Sequence, residues 1–265
     1  VNLLSDIVFI HFIISHTIFT SNIIYYIIRK SKNYKARITF MNESLETKIN
    51  NTIEQYKTIC KLEPNNHKVR VDFAIFYTQL QKYNEAIEIL KTALNINDKD
   101  YTIWRLIGIS YTKIENFKEA IVYLTKAYEL ENNDYISLNY LGNCYIELKM
   151  FNEAIEVLNK SFMIAPKEYI NWRYLGIVLL NTNRIDEAID SFNRALELNK
   201  YDEESLYYLG LCCKEINDDN KAIEIFEKCL EYSDNNKKIY ALLYELYKKT
   251  GNDKSKDMLE KIKQL

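Results

Sequence analysis

The 265-residue chain is 48% hydrophobic and 27% charged, a globular composition rather than that of a disordered or coiled-coil chain. A formal net charge of −2 and a pI near 6.1 argue against nucleic-acid binding, which needs a basic patch or stripe. The five cysteines (Cys60, Cys144, Cys212, Cys213, Cys229) form no CxxC pair; His11 and His16 lie far from them, and His67 has only Cys60 near it in sequence. The ligand spacing of a zinc site is therefore missing, and no metal or other cofactor is expected. Cysteines used this way suit a reducing, cytoplasmic setting.

Residues 7–28 contain no Asp, Glu, Lys or Arg, and the basic stretch "RKSKNYKAR" follows at residues 29–37. Such a run is long enough to span a bilayer, and the basic cluster would leave the rest of the chain on the cytoplasmic side. The competing reading is that residues 1–40 are translated AT-rich upstream sequence ahead of a start at Met41. The near-absence of acidic residues before Met41 favours that second reading slightly. A degenerate first helix is the third. Residues 42–62 then place Leu45, Ile49, Ile53, Tyr56, Ile59 and Leu62 at helical spacing and end at Pro64. Residues 41–66 are thus expected to form an N-terminal capping helix.

From Tyr83 the sequence repeats itself. "YNEAIEILKTAL" is followed by "FKEAIVYLTKAY" at Phe117, "FNEAIEVLNKSF" at Phe151, "IDEAIDSFNRAL" at Ile185 and "DNKAIEIFEKCL" at Asp219. Each start lies 34 residues after the last, and a period of that size means a repeat architecture. Ala86, Ala120, Ala154, Ala188 and Ala222 stand in register, and twelve residues upstream of them stand Ala74, Gly108, Gly142, Gly176 and Gly210. Within residues 135–168, Leu138, Leu141, Tyr145 and Leu148 form one helical stripe, and Ala154, Ile155, Val157, Leu158 and Phe162 form a second. Each repeat should be two helices joined by a polar turn. Asn84, Asn152, Asp186 and Asn220 stand where the second helix would be N-capped, with Lys118 as the exception. A glycine in mid-helix costs about 1 kcal/mol against alanine. The expected reason for it is close approach of the Ala154 face to Gly142. Cys213 and Cys229 fall at apolar positions and should be small buried thiols.

The pattern Trp104, Leu106-Ile107-Gly108, Tyr111, Ala120, Leu124, Ala127 resembles a tetratricopeptide repeat (TPR). So do Trp172, Leu175-Gly176, Ala188, Phe192, Ala195, and Leu138, Leu141-Gly142, Tyr145, Ala154, Pro166. The resemblance implies an all-α fold, a right-handed superhelical solenoid of stacked helix-turn-helix hairpins. Five copies would cover 67–100, 101–134, 135–168, 169–202 and 203–236, with a partial sixth repeat as C-terminal cap at 237–265. Local departures are Ala74 for the glycine, Leu179 and Cys213 for the tyrosine, and Ser161 and Cys229 for the second alanine.

The repeats contain no phosphate-binding loop, HExxH or GxSxG motif, so no catalytic residue is named and the chain is not expected to be an enzyme. The resemblance implies an interaction scaffold that holds a peptide or helix of a partner protein on the first helices of the repeats. The residues placed there are Arg105, Ile109, Asn139, Tyr140, Asn143, Arg173, Tyr174, Ile177, Tyr207, Tyr208 and Leu211. Tyr and Arg are enriched in binding hot spots, and arginine can grip a carboxylate through two hydrogen bonds. The expected ligand is therefore apolar with at least one acidic group, gripped by Arg173. The carboxylate clamp of chaperone-binding TPRs is incomplete, since Ile109 follows Arg105 and Ile177 follows Arg173. Two other roles fit the same repeats: a docking or regulatory subunit of a separate enzyme such as a transferase, and a membrane-tethered assembly factor if residues 7–28 are an anchor.

Overall fold

The structure, a computed structural model, describes residues 34–232 and 236–264, with side chains from Glu46 to Lys263 within that range. It contains thirteen α-helices and no strand among the described residues. The described residues divide into two compact units, the first ending at Ile114 and the second beginning at Glu115. The first holds α1 (Tyr34–Leu62), α2 (His67–Gln79), α3 (Tyr83–Leu94) and α4 (Tyr101–Lys113). The second holds α5 (Phe117–Leu130), α6 (Tyr135–Glu147), α7 (Phe151–Ile164), α8 (Tyr169–Asn181), α9 (Ile185–Leu198), α10 (Glu203–Glu215), α11 (Asp219–Tyr232), α12 (Lys237–Lys249) and α13 (Ser255–Gln264). The candidate membrane span at residues 7–28 lies outside the described residues. Among those described, no helix is long and apolar enough to cross a membrane.

In the first unit α1 packs on α2, and α3 on both α2 and α4. Helix α1 begins at Tyr34 and runs through Met41, longer than the 42–62 stripe suggests. Ile53 and Tyr56 are buried, whereas Leu62, at the end of the same stripe, is 76% exposed. Tyr56 stacks on Phe73 at 4.9 Å between ring centroids, and Phe73 on Tyr77 at 4.6 Å. Arg70 donates to the carbonyl of Cys60, in the last turn of α1 where acceptors lack helical partners, and to those of Glu63 and Asn66 in the turn that follows.

Two backbone features recur every 34 residues and set the frame. The first helix of each repeat is capped by a side chain: Asn66, Asp100, Asp134, Glu168, Asp202 and Asn236 each accept a backbone N–H two or three residues on. The same helix is followed by a residue in left-handed conformation: Gln81, Glu115, Lys149, Asn183 and Asn217, then Gly251 in the last repeat. Around Lys149, the Lys149 N–H donates to the Ile146 carbonyl and the Met150 N–H to that of Tyr145. That is a Schellman ending, repeated around Gln81, Asn183, Asn217 and Gly251.

This turn feeds directly into the second helix, which starts two residues earlier than the cap pattern in the sequence predicts. Asn84, Asn152, Asp186 and Asn220 consequently lie inside the first turn and are not N-caps. The true cap positions hold Lys82, Asn116, Met150 and Arg184, none with a side-chain cap bond. Asp218 is the exception, accepting the Lys221 N–H at 3.2 Å.

The alanines Ala86, Ala120, Ala154, Ala188 and Ala222 are all fully inaccessible. The side chain nearest to Gly142, Gly176 or Gly210 is not that of the alanine. A Cβ added at Gly142 would meet Leu158 at 3.1 Å, and at Gly176 and Gly210 it would meet the rings of Phe192 at 2.7 Å and Phe226 at 2.6 Å. At these three glycines the large residue four positions beyond the alanine is what needs the hole. In the second unit one apolar core runs from Ile146 to Tyr247 and includes Cys212, Cys213 and Cys229. Burial pushes the Cys212 thiol up to about 12 and that of Cys229 to about 11, so both stay protonated. At the end of the unit α13 packs on α12, and Lys256 takes the buried-alanine position but is exposed. Glu227 accepts from Tyr247 Oη and pairs with Lys254 at 2.7 Å, fastening the loop before α13 to α11.

Candidate functional site: the first-helix face

In the second unit the first helices of successive repeats touch, α6 against α8 and α8 against α10. The side chains Asn139, Tyr140, Asn143, Arg173, Tyr174, Ile177, Tyr207, Tyr208 and Leu211 lie on these three helices. Tyr140, Asn143, Tyr174, Tyr207, Tyr208 and Leu211 are half-buried; Asn139, Arg173 and Ile177 are buried. Arg105 and Ile109 belong to α4 in the first unit, both half-buried, with the Arg105 guanidinium 5.2 Å from the Tyr101 ring centroid.

Arg173 is the residue whose setting departs furthest from the sequence expectation. Its side chain is only 11% exposed, and Nη1 donates to Asp202 Oδ1 at 2.6 Å with Glu204 Oε2 at 3.1 Å. The guanidinium also lies 5.2 Å from the Tyr174 ring and 5.7 Å from that of Tyr169. Asp202 meanwhile caps α10 through the Ser205 N–H and accepts from Ser205 Oγ. The carboxylate that Arg173 grips is thus the chain's own, the cap of the next repeat. The expectation that it would hold an acidic group of a ligand does not match this geometry.

Asn139 is likewise occupied. Ser161 Oγ lies 2.8 Å from both Asn139 Oδ1 and Asn171 Oδ1, and Asn171 Nδ2 donates to the Ala165 carbonyl. One hydroxyl hydrogen serves only one of the two amides. Asn171 is held in place by Ala165, so an Asn139 amide turned by 180° supplies the second hydrogen. Ser161 stands where three of the other repeats have alanine (Ala93, Ala127 and Ala195), and two amides converge on it.

The tyrosines form the accessible part. Tyr208 stacks parallel to Phe192 with centroids 5.8 Å apart. Tyr207 meets Tyr208 edge-on at 5.3 Å and Phe226 at 6.3 Å. The two phenylalanines that need glycine opposite them therefore also support the two tyrosines. Burial pushes the Tyr174 hydroxyl up to about 12, with Arg173 pulling it down and Glu204 adding to the rise. Tyr208 is raised first by burial, then by the carboxylates of Glu204 and Glu147. Both phenols are neutral donors at physiological pH. Asp202, Glu204, Glu147, Ser161 and Asn171 are the residues here that sequence reasoning misses. The serine in an alanine register is the one visible signal.

Side-chain caps, left-handed turns and glycine holes in one 34-residue register define a helical-repeat solenoid, a class built to present side chains along a row of helices. Family models described as tetratricopeptide repeat match residues 46–108 and 203–236, and one described as anaphase-promoting complex, cyclosome, subunit 3 matches residues 113–195. The chain belongs to the tetratricopeptide repeat family. Among curated proteins no sequence matches it.

Solved structures share the fold. The APC/C heterotetramer Cut9–Hcn1 aligns with a TM-score of 0.69 at 19% identity over 76% of this chain, which spans only 40% of that one. PilF of Pseudomonas aeruginosa aligns at 0.65 and 18% identity, covering 75% of this chain and 90% of its own. YrrB, described as a TPR protein with an unusual peptide-binding site, aligns at 0.53 and 18% identity, covering 74% and 99%.

Proposed function

We propose that the chain is a non-catalytic scaffold that docks a peptide or helix of a partner protein on the first-helix face of the second unit. The observation that carries this reading is the row Tyr140, Tyr174, Tyr207, Tyr208 and Leu211, half-buried on three helices of one repeat frame. Half-buried tyrosines offer large contact area at low entropic cost. Asn139, Arg173 and Ile177 support the row from below; Asn143 edges it. Arg105 and Ile109 would serve the same role on α4. The peptide-binding site of YrrB and the multi-chain assembly of Cut9–Hcn1 support the same class of role. The second of these also favours a docking subunit within a larger assembly.

A photo-crosslinking amino acid placed at Tyr140 or Leu211, against one at Val122 or Met163 on second helices, tests the reading. Val122 and Met163 are 59% and 85% exposed, so they report the opposite choice of face without disturbing packing. In extracts of the native cell, defined adducts to one partner are expected from Tyr140 and Leu211 only. Adducts from Val122 and Met163 alone would move the site to the second helices.

A further inference from the structure

A hollow in the first unit is built from none of the docking-face residues. It lies where α3 gives way to α4, opens to solvent, has a volume of about 550 Å³, and is lined by Leu94, Asn95, Ile96, Asp98 and Trp104. That size falls within the range of about 300–1,000 Å³ usual for ligand pockets. Trp104 forms one wall. Its Nε1–H donates to the Asp98 carbonyl at 2.8 Å, which ties the indole to the loop between the two helices. The half-buried ring is thus held in place before anything enters, and a preorganised wall lowers the cost of binding.

The 34-residue register indicates what fits. Two repeats further on, the positions of Leu94 and Trp104 hold Phe162 and Trp172. There the phenylalanine ring meets the tryptophan edge-on, with centroids 4.9 Å apart. In the first unit a leucine takes the place of that phenylalanine, and the hollow lies between its helix end and Trp104. We propose that this hollow binds an aromatic side chain of a partner protein, set beside Trp104 as Phe162 is set beside Trp172. Leu94 and Ile96 supply apolar contact to the ring. Asn95 and Asp98, both exposed, offer hydrogen-bonding groups to the backbone that carries it. An aromatic anchor seated in a pocket is the kind of contact that dominates binding energy. The site is independent of the tyrosine row in the second unit.

The experiment selects a displayed random-peptide library on the full chain, with Leu94→Phe as counter-bait, since that variant supplies from within the ring the second unit already has. Trp104→Leu, which installs the residue found in register at Leu138 and Leu206, is a second counter-bait should Leu94→Phe fail to fold by circular dichroism. Peptides captured by the parent alone are titrated by fluorescence anisotropy. They are expected to share one Phe, Tyr or Trp. Binding should weaken about tenfold or more when that residue is made alanine, and equally when the parent is replaced by either variant, the scale of a lost anchor. A library that yields no peptide separating the parent from the variants would overturn the proposal, as would separating peptides that share no aromatic residue. Peptides weakened by Leu211→Ser alone would overturn it too, while leaving the docking face of the second unit standing. A dimer in sedimentation velocity that Leu94→Phe dissolves would give the hollow to a second copy of the chain and overturn its assignment to a partner.

Discussion

Two neighbouring junctions in the second unit share one backbone frame and solve the same packing problem differently. Where α6 and α7 meet α8, Gly142 opposes Leu158, and the polar contact across the junction is the neutral trio Asn139, Ser161 and Asn171. Where α8 and α9 meet α10, Gly176 opposes the Phe192 ring, and the polar contact is the ion pair of Arg173 and Asp202. The cap and the left-handed turn are unchanged between them. Repeat register fixes backbone hydrogen bonds, whereas the contents of each junction are chosen in pairs: ring with glycine, serine with amides, arginine with cap carboxylate.

The largest expected difference lies in the ion pair. Arg173→Ala leaves Asp202 buried with only its cap bonds and should cost about 3 kcal/mol, the low end for breaking a buried pair. Denaturant unfolding followed by circular dichroism checks it. Asn139→Ala, its positional counterpart one repeat earlier, should cost clearly less.

Glycine is next. Gly176→Ala and Gly210→Ala force a methyl against a fully buried ring at under 3 Å, and should each lower stability by about 1–3 kcal/mol. Melting curves that do not move would show that Phe192 and Phe226 can slide. Ser161→Ala should cost about 1–2 kcal/mol, because Asn139 loses a buried partner and Asn171 half of its bonds. Adding Asn171→Ile, the residue type of Ile103 and Ile239 at that register, should recover part of the loss. The smallest effect belongs to Gly142→Ala. Leu158 stands 3.1 Å from the new methyl and can give slightly, while alanine restores about 1 kcal/mol of helix propensity. The net change should lie within about 1 kcal/mol of zero, and a loss as large as that of Gly176→Ala would erase the distinction between leucine and phenylalanine partners.

These pairings explain what is legible in the sequence. Hairpin count, register and the buried alanines follow from periodicity, because the same apolar stripe returns every 34 residues. The left-handed turn is hidden by its occupants: Gln81, Glu115, Lys149, Asn183 and Asn217 carry no glycine signal, and only Gly251 does. Without that turn, the sequence pattern places the second-helix caps two residues late. The tyrosine row is visible as a register. Its electrostatics are not, since Asp202 lies 29 residues from Arg173 and contacts it only once the hairpins stack.

The central claim is that the carboxylate held by Arg173 belongs to the fold and not to a ligand. A double-mutant cycle on Arg173→Ala and Asp202→Ala, read by denaturant unfolding of the full chain without any peptide, measures it directly. A coupling energy of about 1.5 kcal/mol or more is predicted, in the range for hydrogen bonds to charged groups. Additive losses, with Arg173→Ala leaving stability unchanged, would contradict it and return Arg173 to the docking face.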